Sequence, residues 1–310
     1  MFDAAVIVLR WVQMTGAMIL FGSPLFFLYA LPAAGAGSAI ALRLGRPLLI
    51  ASAATIFAGS LLGLLAQTVV LAGSVQDGFT AGALGAAVTQ MSFGKSVLVR
   101  AAFAALALVG LLLIRPARGA WRFATFAGAV ICGSFAWMGH GAATEGTGRW
   151  LHLASDILHT LAAGVWIGAL VVLLILLAAE ARRPGASPVV LHQALRGFSG
   201  VGSAVVAILL ATGLVNGWFV IGPAGVARLW TSAYGLLLTL KLVFFAGMTA
   251  LAAANRLYLT PRLGAALGGL SPTQGAVAAL RNSLALETGL SIGVLGLVAW
   301  FGMLAPPGAS

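Results

Sequence analysis

Charged side chains are scarce in this chain of 310 residues, where Asp, Glu, Lys and Arg together make up only 7%. Hydrophobic residues account for 61%, and the mean hydropathy of +1.07 lies far outside the range of soluble globular proteins. So few charges cannot keep a large surface in contact with water. The sequence therefore predicts an integral membrane protein.

Cysteine is almost absent as well, since Cys132 is the only one. A single thiol excludes a disulfide framework and a cysteine-rich metal site. Acidic residues number only six, so a calcium or magnesium site built from several carboxylates is not expected.

Long apolar segments fill most of the chain, and each can cross a hydrocarbon core of roughly 30 Å. The connections between them are short, so no extramembrane catalytic domain is expected and the chain is predicted not to be an enzyme. The predicted fold class is all-α integral membrane. Its eight predicted transmembrane helices lie at about 4–31, 47–73, 96–114, 120–139, 152–179, 198–221, 233–255 and 282–304.

The net charge of +11 could indicate nucleic acid binding, but the Lys and Arg residues concentrate in alternate loops. Because basic loops stay on the cytoplasmic side, this distribution predicts that both termini face the periplasm. Loops 1–2, 3–4, 5–6 and 7–8 are then cytoplasmic. The lipid bilayer, and not nucleic acid, is the expected surrounding of this chain.

Polar and glycine spacings recur between the first four predicted spans and the last four. The clearest match has offsets of 0, 3 and 12 in spans one and five: Arg10, Gln13 and Gly22, then Asp156, His159 and Gly168. Units with an even number of spans are related by an axis along the membrane normal. The sequence thus predicts a tandem repeat within one membrane domain, with four helices in residues 1–140 and four in 141–310.

Residues 152–170, HLASDILHTLAAGVWIGAL, place ionisable groups on an apolar helix. Offsets of four and three put His152, Asp156 and His159 on one face. Such groups are costly at bilayer depth unless they are paired or bound to an ion. Imidazole and thioether are copper ligands, and thioether favours Cu(I) over Cu(II). An outward-facing site for a soft-to-borderline metal ion such as copper is predicted, with candidate ligands His159, His152, His140, Asp156, Met138 and Met303.

Several of these candidates have a structural alternative. His140 and His152 stand at helix ends, where hydrogen-bonded histidines are common. Asp156 is open to three roles: metal ligand, acceptor that fixes a histidine tautomer, or counterion to Arg10 or Lys241.

Glu287 could pair with Arg281 or Arg256 at the cytoplasmic side, and Met14 and Met18 could extend a thioether path or belong to the core. The full set of candidates for supporting or pathway positions is Glu145, Lys241, Arg10, Gln13, Tyr234, Asn255, Glu287, Met14 and Met18.

Four stretches carry a family resemblance: residues 152–170, RGFSGVGSAVVAILLATGLVNGW, WTSAYGLLLTLKLVFFAGMTALAAANRLYLTPRL and LRNSLALETGLSIGVLGLVAWFGMLAPP. In these the chain resembles the CopD/PcoD family of bacterial copper-resistance membrane proteins, a family also found as the membrane part of YcnJ-like copper-uptake proteins. The resemblance implies an inner-membrane protein that moves copper from periplasm to cytoplasm with a periplasmic CopC-like copper carrier.

The resemblance also implies particular residues. Many relatives have an RxxH element in the first span, where this chain has Gln13 in the histidine position. The matching elements later in the chain contain Asp156 and His159, Trp166 and Gly168, Tyr234, Gly235 and Lys241, and Asn255, Arg256 and Pro261.

Three functions are open at this stage. Copper transport is the expected one. A haem-binding membrane redox protein is the alternative, although bis-histidine ligation needs two histidines at matched depth and Gln13 removes the obvious partner. The third is a receptor that senses copper from the periplasmic carrier without passing it.

Overall fold

The computed structural model describes residues 2–31, 39–114, 118–138, 146–182, 188–269 and 272–304. Within these ranges the fold is helical and contains no β-strand. The described residues form eight long helices: α1 (Phe2–Ala30), α2 (Arg46–Ala72), α3 (Ser92–Leu113), α4 (Arg118–Ser134), α5 (Arg149–Arg182), α6 (Pro188–Gly225), α7 (Ala233–Ala254) and α8 (Thr273–Phe301).

Shorter helical elements extend the long helices or connect them. Gly73 follows the last residue of α2 and caps the helix with a φ of +74°, which suits glycine. The Ser74 hydroxyl then accepts a hydrogen bond from the backbone N–H of Asp77 and caps the start of the next short helix. The short elements are Ala41–Gly45, Val75–Gly78, Ala81–Gln90, Phe135–Met138, Val226–Arg228, Asn255–Leu259 and Thr260–Leu267.

Seven of the described helical segments are long and apolar enough to cross a membrane: Asp3–Ala30, Ala41–Ala72, Ser92–Leu113, Arg149–Arg182, Pro188–Pro223, Ala233–Leu267 and Thr273–Phe301. The sequence predicted an eighth at 120–139. The helix found there, α4, has 17 residues and carries Arg118 and Arg122 in its first two turns. It is therefore shorter and less apolar than the other seven.

The two helices α1 and α5 lie along each other at the centre of the bundle. A Cβ on Gly22 would lie 1.9 Å from the carbonyl oxygen of Gly164, and a Cβ on Gly168 would lie 2.1 Å from the carbonyl carbon of Gly22. No side chain fits between the backbones here. Glycine at these three positions is what allows α1 and α5 to pack so closely.

Candidate functional site

Those arginines of the predicted cytoplasmic loops that the structure describes gather at one end of the bundle. Arg46 donates to the carbonyl oxygen of Leu111 at 2.7 Å, which joins the start of α2 to the end of α3. The end of α1 lies against α6, since a Cβ placed on Gly197 would be 3.6 Å from the Cα atom of Ala30. We call this end, with Arg46, Arg196 and Arg256, the basic end.

At the other end, His159 and Asp156 of α5 face α6. The Nδ1 atom of His159 lies 2.8 Å from the Thr212 hydroxyl, and Asn216 Nδ2 donates to Asp156 Oδ1 at 3.5 Å. Lys241 of α7 is close enough to Asp156 and His159 for electrostatic interaction. We call these residues, Asp156, His159, Thr212, Asn216 and Lys241, the His159 cluster.

The hydrogen bonds of Thr212 decide which nitrogen of His159 carries the proton. The Thr212 hydroxyl donates to the carbonyl oxygen of Ile208 at 2.6 Å, so it accepts from Nδ1–H of His159. This tautomer leaves Nε2 of His159 with a free lone pair. Metal-binding histidines are commonly held in the same way, with one nitrogen donating and the other facing the ion.

The other predicted histidines are placed differently. His152 is buried, and its ring stacks on Phe219 with centroids 4.8 Å apart. His140 and Glu145 lie outside the described residues. Among the residues that the structure describes, no three His, Cys, Asp or Glu side chains form a group that could hold a metal ion.

The four methionines among the candidates also contact other side chains of the protein. Met138 Sδ lies 2.9 Å from Arg100 Nη2, and Met303 Sδ lies 3.4 Å from Arg10 Nη1. Met14 and Met18 pack in a small apolar cluster, which agrees with the core alternative. The second hydrogen bond of Arg10 goes to the carbonyl oxygen of Gly302 at 3.2 Å, so the structure joins Arg10 to the end of α8 and not to Asp156.

Within the first four helices, Gln13 holds the position that the predicted repeat matches to His159, and Arg100 lies beside it. Arg100 is only 1% exposed, and its guanidinium donates to Gln13 Oε1 and to the Ser134 hydroxyl, each at 3.1 Å. Gln13 donates in turn to the carbonyl oxygen of Gly59 at 3.0 Å. The cavity beside them, about 10 Å³, holds at most one water molecule. We call this group the Arg100 cluster.

A much larger cavity, of about 770 Å³, opens at the basic end between α5, α6, α7 and α8. We call it the basic-end cavity. It exists because α6 and α7 make little contact with each other, whereas α2 packs along α3. His192, Arg196 and Arg256 line it together with polar side chains of α6, and Arg256 donates to the hydroxyl of Ser203.

Glu287 of α8 also lines this cavity but is only 2% exposed. The expected pairing with Arg256 or Arg281 is not found. The carboxylate instead accepts hydrogen bonds from Trp166 Nε1 at 2.7 Å and from Asn255 Nδ2 at 2.8 Å. Sequence reasoning missed the bond from Trp166 because the two residues are 121 positions apart.

Tyr234, another pathway candidate, is buried at the start of α7, with its ring centroid 5.1 Å from that of Phe301. Lys241 Nζ lies 5.6 Å from the same Phe301 ring. Tyr234 and Lys241 therefore share an aromatic contact at the end of the bundle opposite to the basic end.

Comparison with known proteins agrees with the resemblance seen in the sequence. Residues 1–151 match the family model described as Copper resistance protein D-like, N-terminal domain, and residues 192–301 match the model described as Copper resistance protein D. No solved structure matches the chain.

Two curated relatives bear names that refer to copper. Copper resistance protein D of Pseudomonas syringae pv. tomato is 35% identical over 311 residues, which cover 99% of this chain and 98% of that protein. Copper transport protein CutJ of Bacillus subtilis (strain 168) is 32% identical over 120 residues, 39% of this chain and 21% of that protein. The haem alternative receives no support from these matches. With a full-length relative at this identity and family models over both halves, the chain belongs to the copper resistance protein D family of membrane proteins.

Proposed function

We propose that this protein carries copper across the bacterial inner membrane, from the periplasm to the cytoplasm. Copper is the cargo in this proposal, and no chemical reaction accompanies its passage. Family membership supports the choice of metal. The observation that carries the proposal is the hydrogen bonding of His159, which leaves Nε2 free to bind a metal ion.

The orientation follows from the arginines. Placing the basic end in the cytoplasm satisfies the preference of Lys and Arg for that side. It also requires α4 to cross the membrane as an eighth span. Together with the turn Phe135–Met138, α4 covers residues 118–138, which at ~1.5 Å per residue is roughly the thickness of the hydrocarbon core.

Two four-helix units then stand side by side, with α1 of one against α5 of the other. The close approach of Gly22 and Gly168 supports this arrangement, because these two glycines hold matching positions in the predicted repeat. We place the copper path in the second unit, since the His159 cluster and the basic-end cavity both belong to it.

Copper enters at the His159 cluster. Nε2 of His159 is the first ligand, and the Asp156 carboxylate, one turn earlier on the same helix, is the second. Lys241 compensates the charge of Asp156 in the metal-free protein, and the copper ion takes over that role. His152, Met138 and Met303 are the further candidate ligands near the periplasmic face, and His140 is a candidate from the sequence alone.

Copper leaves through the basic-end cavity. Trp166 follows His159 by seven residues, or about 10 Å along α5, and its bond to Glu287 separates the His159 cluster from the cavity. Passage requires this contact to open. A periplasmic CopC-like carrier that delivers copper at the opposite end of the bundle fits the same direction of transport.

The role of His159 is testable through Thr212, which does not itself bind copper in this scheme. Replacing Thr212 with Val removes the acceptor of Nδ1–H, so Nε2 is no longer fixed as the free nitrogen. We expect roughly tenfold weaker copper binding. His159→Ala should abolish copper accumulation in cells that express it.

Thr239→Val is the matched control, because the Thr239 hydroxyl bonds only within its own helix, to the carbonyl oxygen of Gly235. Copper affinity is measured by titration of the purified variants, and transport by copper flux into proteoliposomes. Normal accumulation with His159→Ala would contradict the proposed entry site. Copper binding without flux in the wild-type protein would favour the receptor function.

A further inference from the structure

Glu287 is the only buried carboxylate among the residues that the structure describes, and its hydrogen bonds come from neutral groups. Trp166 Nε1 donates to Oε1 and Asn255 Nδ2 donates to Oε2. The other end of the same amide, Asn255 Oδ1, is buried without a hydrogen-bond partner in the described part of the chain. One carboxyl group and one unsatisfied amide oxygen therefore meet at the wall of the basic-end cavity.

No cation in the described residues donates a hydrogen bond to Glu287. From α6, His192 and Arg196 line the cavity, and beyond α7 the Arg256 guanidinium donates to the Ser203 hydroxyl. The residues of α5 that line the cavity are Trp166 and two leucines, none of them charged. The remaining charged groups of the helices around Glu287 are exposed, partly exposed near the end of α5, or at the opposite end: Arg262, Arg281, Arg182, Glu180, Arg149, Asp156, Lys241, Arg10 and Asp3.

We infer that Glu287 is a proton-binding site that opens to the basic-end cavity. A carboxylate inside a membrane protein is stable when it holds a cation or a proton, and buried carboxyl groups of this kind often mark proton pathways. Hydronium in the cavity transfers its proton to the Glu287 carboxylate, which becomes the neutral acid and leaves a water molecule. Release of the proton to water is the reverse of this step.

Asn255 accounts for the stability of both protonation states. When Glu287 is ionised, Asn255 Nδ2 donates to it, as the structure shows. When Glu287 is protonated, its O–H needs an acceptor. A rotation of the Asn255 side-chain amide by 180° brings the unpartnered Oδ1 atom to this O–H. Trp166 donates to the other carboxyl oxygen in either state. The site thus keeps its hydrogen bonds while it gains or loses a proton.

This site also connects protons to copper, a step that rests on the proposed transport function. A copper ion entering the basic-end cavity competes with the proton for the one carboxylate. Each copper ion that binds there releases the proton into the cavity. Because Glu287 is also the partner of Trp166, the exchange takes place at the contact that closes the path from the His159 cluster.

Infrared difference spectroscopy of the full-length protein in lipid nanodiscs tests the proton site directly. Acidification should produce the carbonyl band of a buried protonated carboxyl group, with a small shift in D₂O. Glu287→Gln should remove this band. Glu180→Gln, which changes a carboxyl group near the end of α5, is the matched control and should keep it. A Glu287→Gln spectrum identical to that of the wild type would overturn the inference.

Asn255→Leu gives a second measurement, needed if Glu287→Gln fails to fold. Loss of the amide should move the carboxyl band to higher frequency, because the O–H of the protonated carboxyl group loses its acceptor and the group makes one hydrogen bond fewer. An unchanged band in this variant would contradict the role of Asn255.

Added copper should remove the carboxyl band of the wild-type protein. Persistence of the band would contradict the competition between copper and the proton for Glu287. These spectra need no transport. If the proteoliposomes show no copper flux, the proposed function fails while the proton site stands.

Discussion

At the scale of single residues, Arg100 and Lys241 are two cations inside the helices whose surroundings differ in chemistry. Arg100 is surrounded by neutral acceptors and lies over the ring of Phe135, with 3.8 Å between Cζ and the ring centroid. The planar guanidinium group has five N–H donors, so one arginine can donate hydrogen bonds to several acceptors at once. The Arg100 cluster is thus a structural joint among α1, α3 and α4.

Arg100→Leu should therefore destabilise the protein by about 2–3 kcal/mol, because Gln13 Oε1 and the Ser134 hydroxyl lose a buried partner. Lys95→Leu, an exposed change on the same helix, should alter stability by less than about 0.5 kcal/mol. Thermal unfolding of the purified variants in detergent measures both. Equal unfolding midpoints for the two variants would show that the Arg100 cluster adds no net stability.

The sequence predicted the helix face of Asp156 and His159, because that face depends only on the geometry of one helix. It could not identify the partners of that face. Thr212 is an ordinary residue in an apolar segment, and its bond to His159 joins residues 53 positions apart. The partners of Arg100 could not be identified from the sequence either, since all of them are neutral. Polar contacts between distant helices need the tertiary fold.

At the scale of helices, the contact between α1 and α5 depends on glycine at three positions. Helices in a membrane gain little from the hydrophobic effect when they associate, so close packing of small residues has to hold them together. The backbones at Gly22, Gly164 and Gly168 are too close for any side chain.

Gly168→Ala should accordingly destabilise the protein by roughly 1–3 kcal/mol, since the added methyl group meets the backbone of Gly22. Gly289→Ala, on a part of α8 where a Cβ meets no atom within 4 Å, should be neutral or add up to about 1 kcal/mol of stability. Unfolding in detergent compares the two variants. Similar losses for both would mean that the α1–α5 contact tolerates a side chain.

Helix positions were largely predictable, and helix lengths less so. Hydropathy located all eight long helices, because the apolar segments are long and continuous. It placed the fourth segment at 120–139, where the regular helix ends at Ser134 and goes on as the turn Phe135–Met138. It started α5, α6 and α8 too late, since these helices begin at Arg149, Pro188 and Thr273. Hydropathy windows do not register exposed polar turns at helix ends.

At the scale of the whole molecule, topology depends on α4. With eight spans, the connection between α2 and α3 and the connection between α6 and α7 lie on the same side of the membrane. If α4 does not cross, these two connections lie on opposite sides.

Single cysteines at these connections distinguish the two topologies. Gly82→Cys and Thr231→Cys should both react with a membrane-impermeant thiol reagent in spheroplasts, whereas Arg262→Cys should not. The native Cys132 is fully buried and serves as an unreactive background. Labelling of Gly82→Cys without labelling of Thr231→Cys would show that only seven helices cross.

The packing of α2 on α3 and the packing of α6 on α7 differ in how strongly they resist relative motion. The close contact between α2 and α3 leaves little room for such motion. By contrast, α6 and α7 are held apart at the basic-end cavity, and few contacts resist a change in their separation. We expect changes in the shape of the bundle to concentrate at α6 and α7, while the glycine contact with α1 keeps α5 in place.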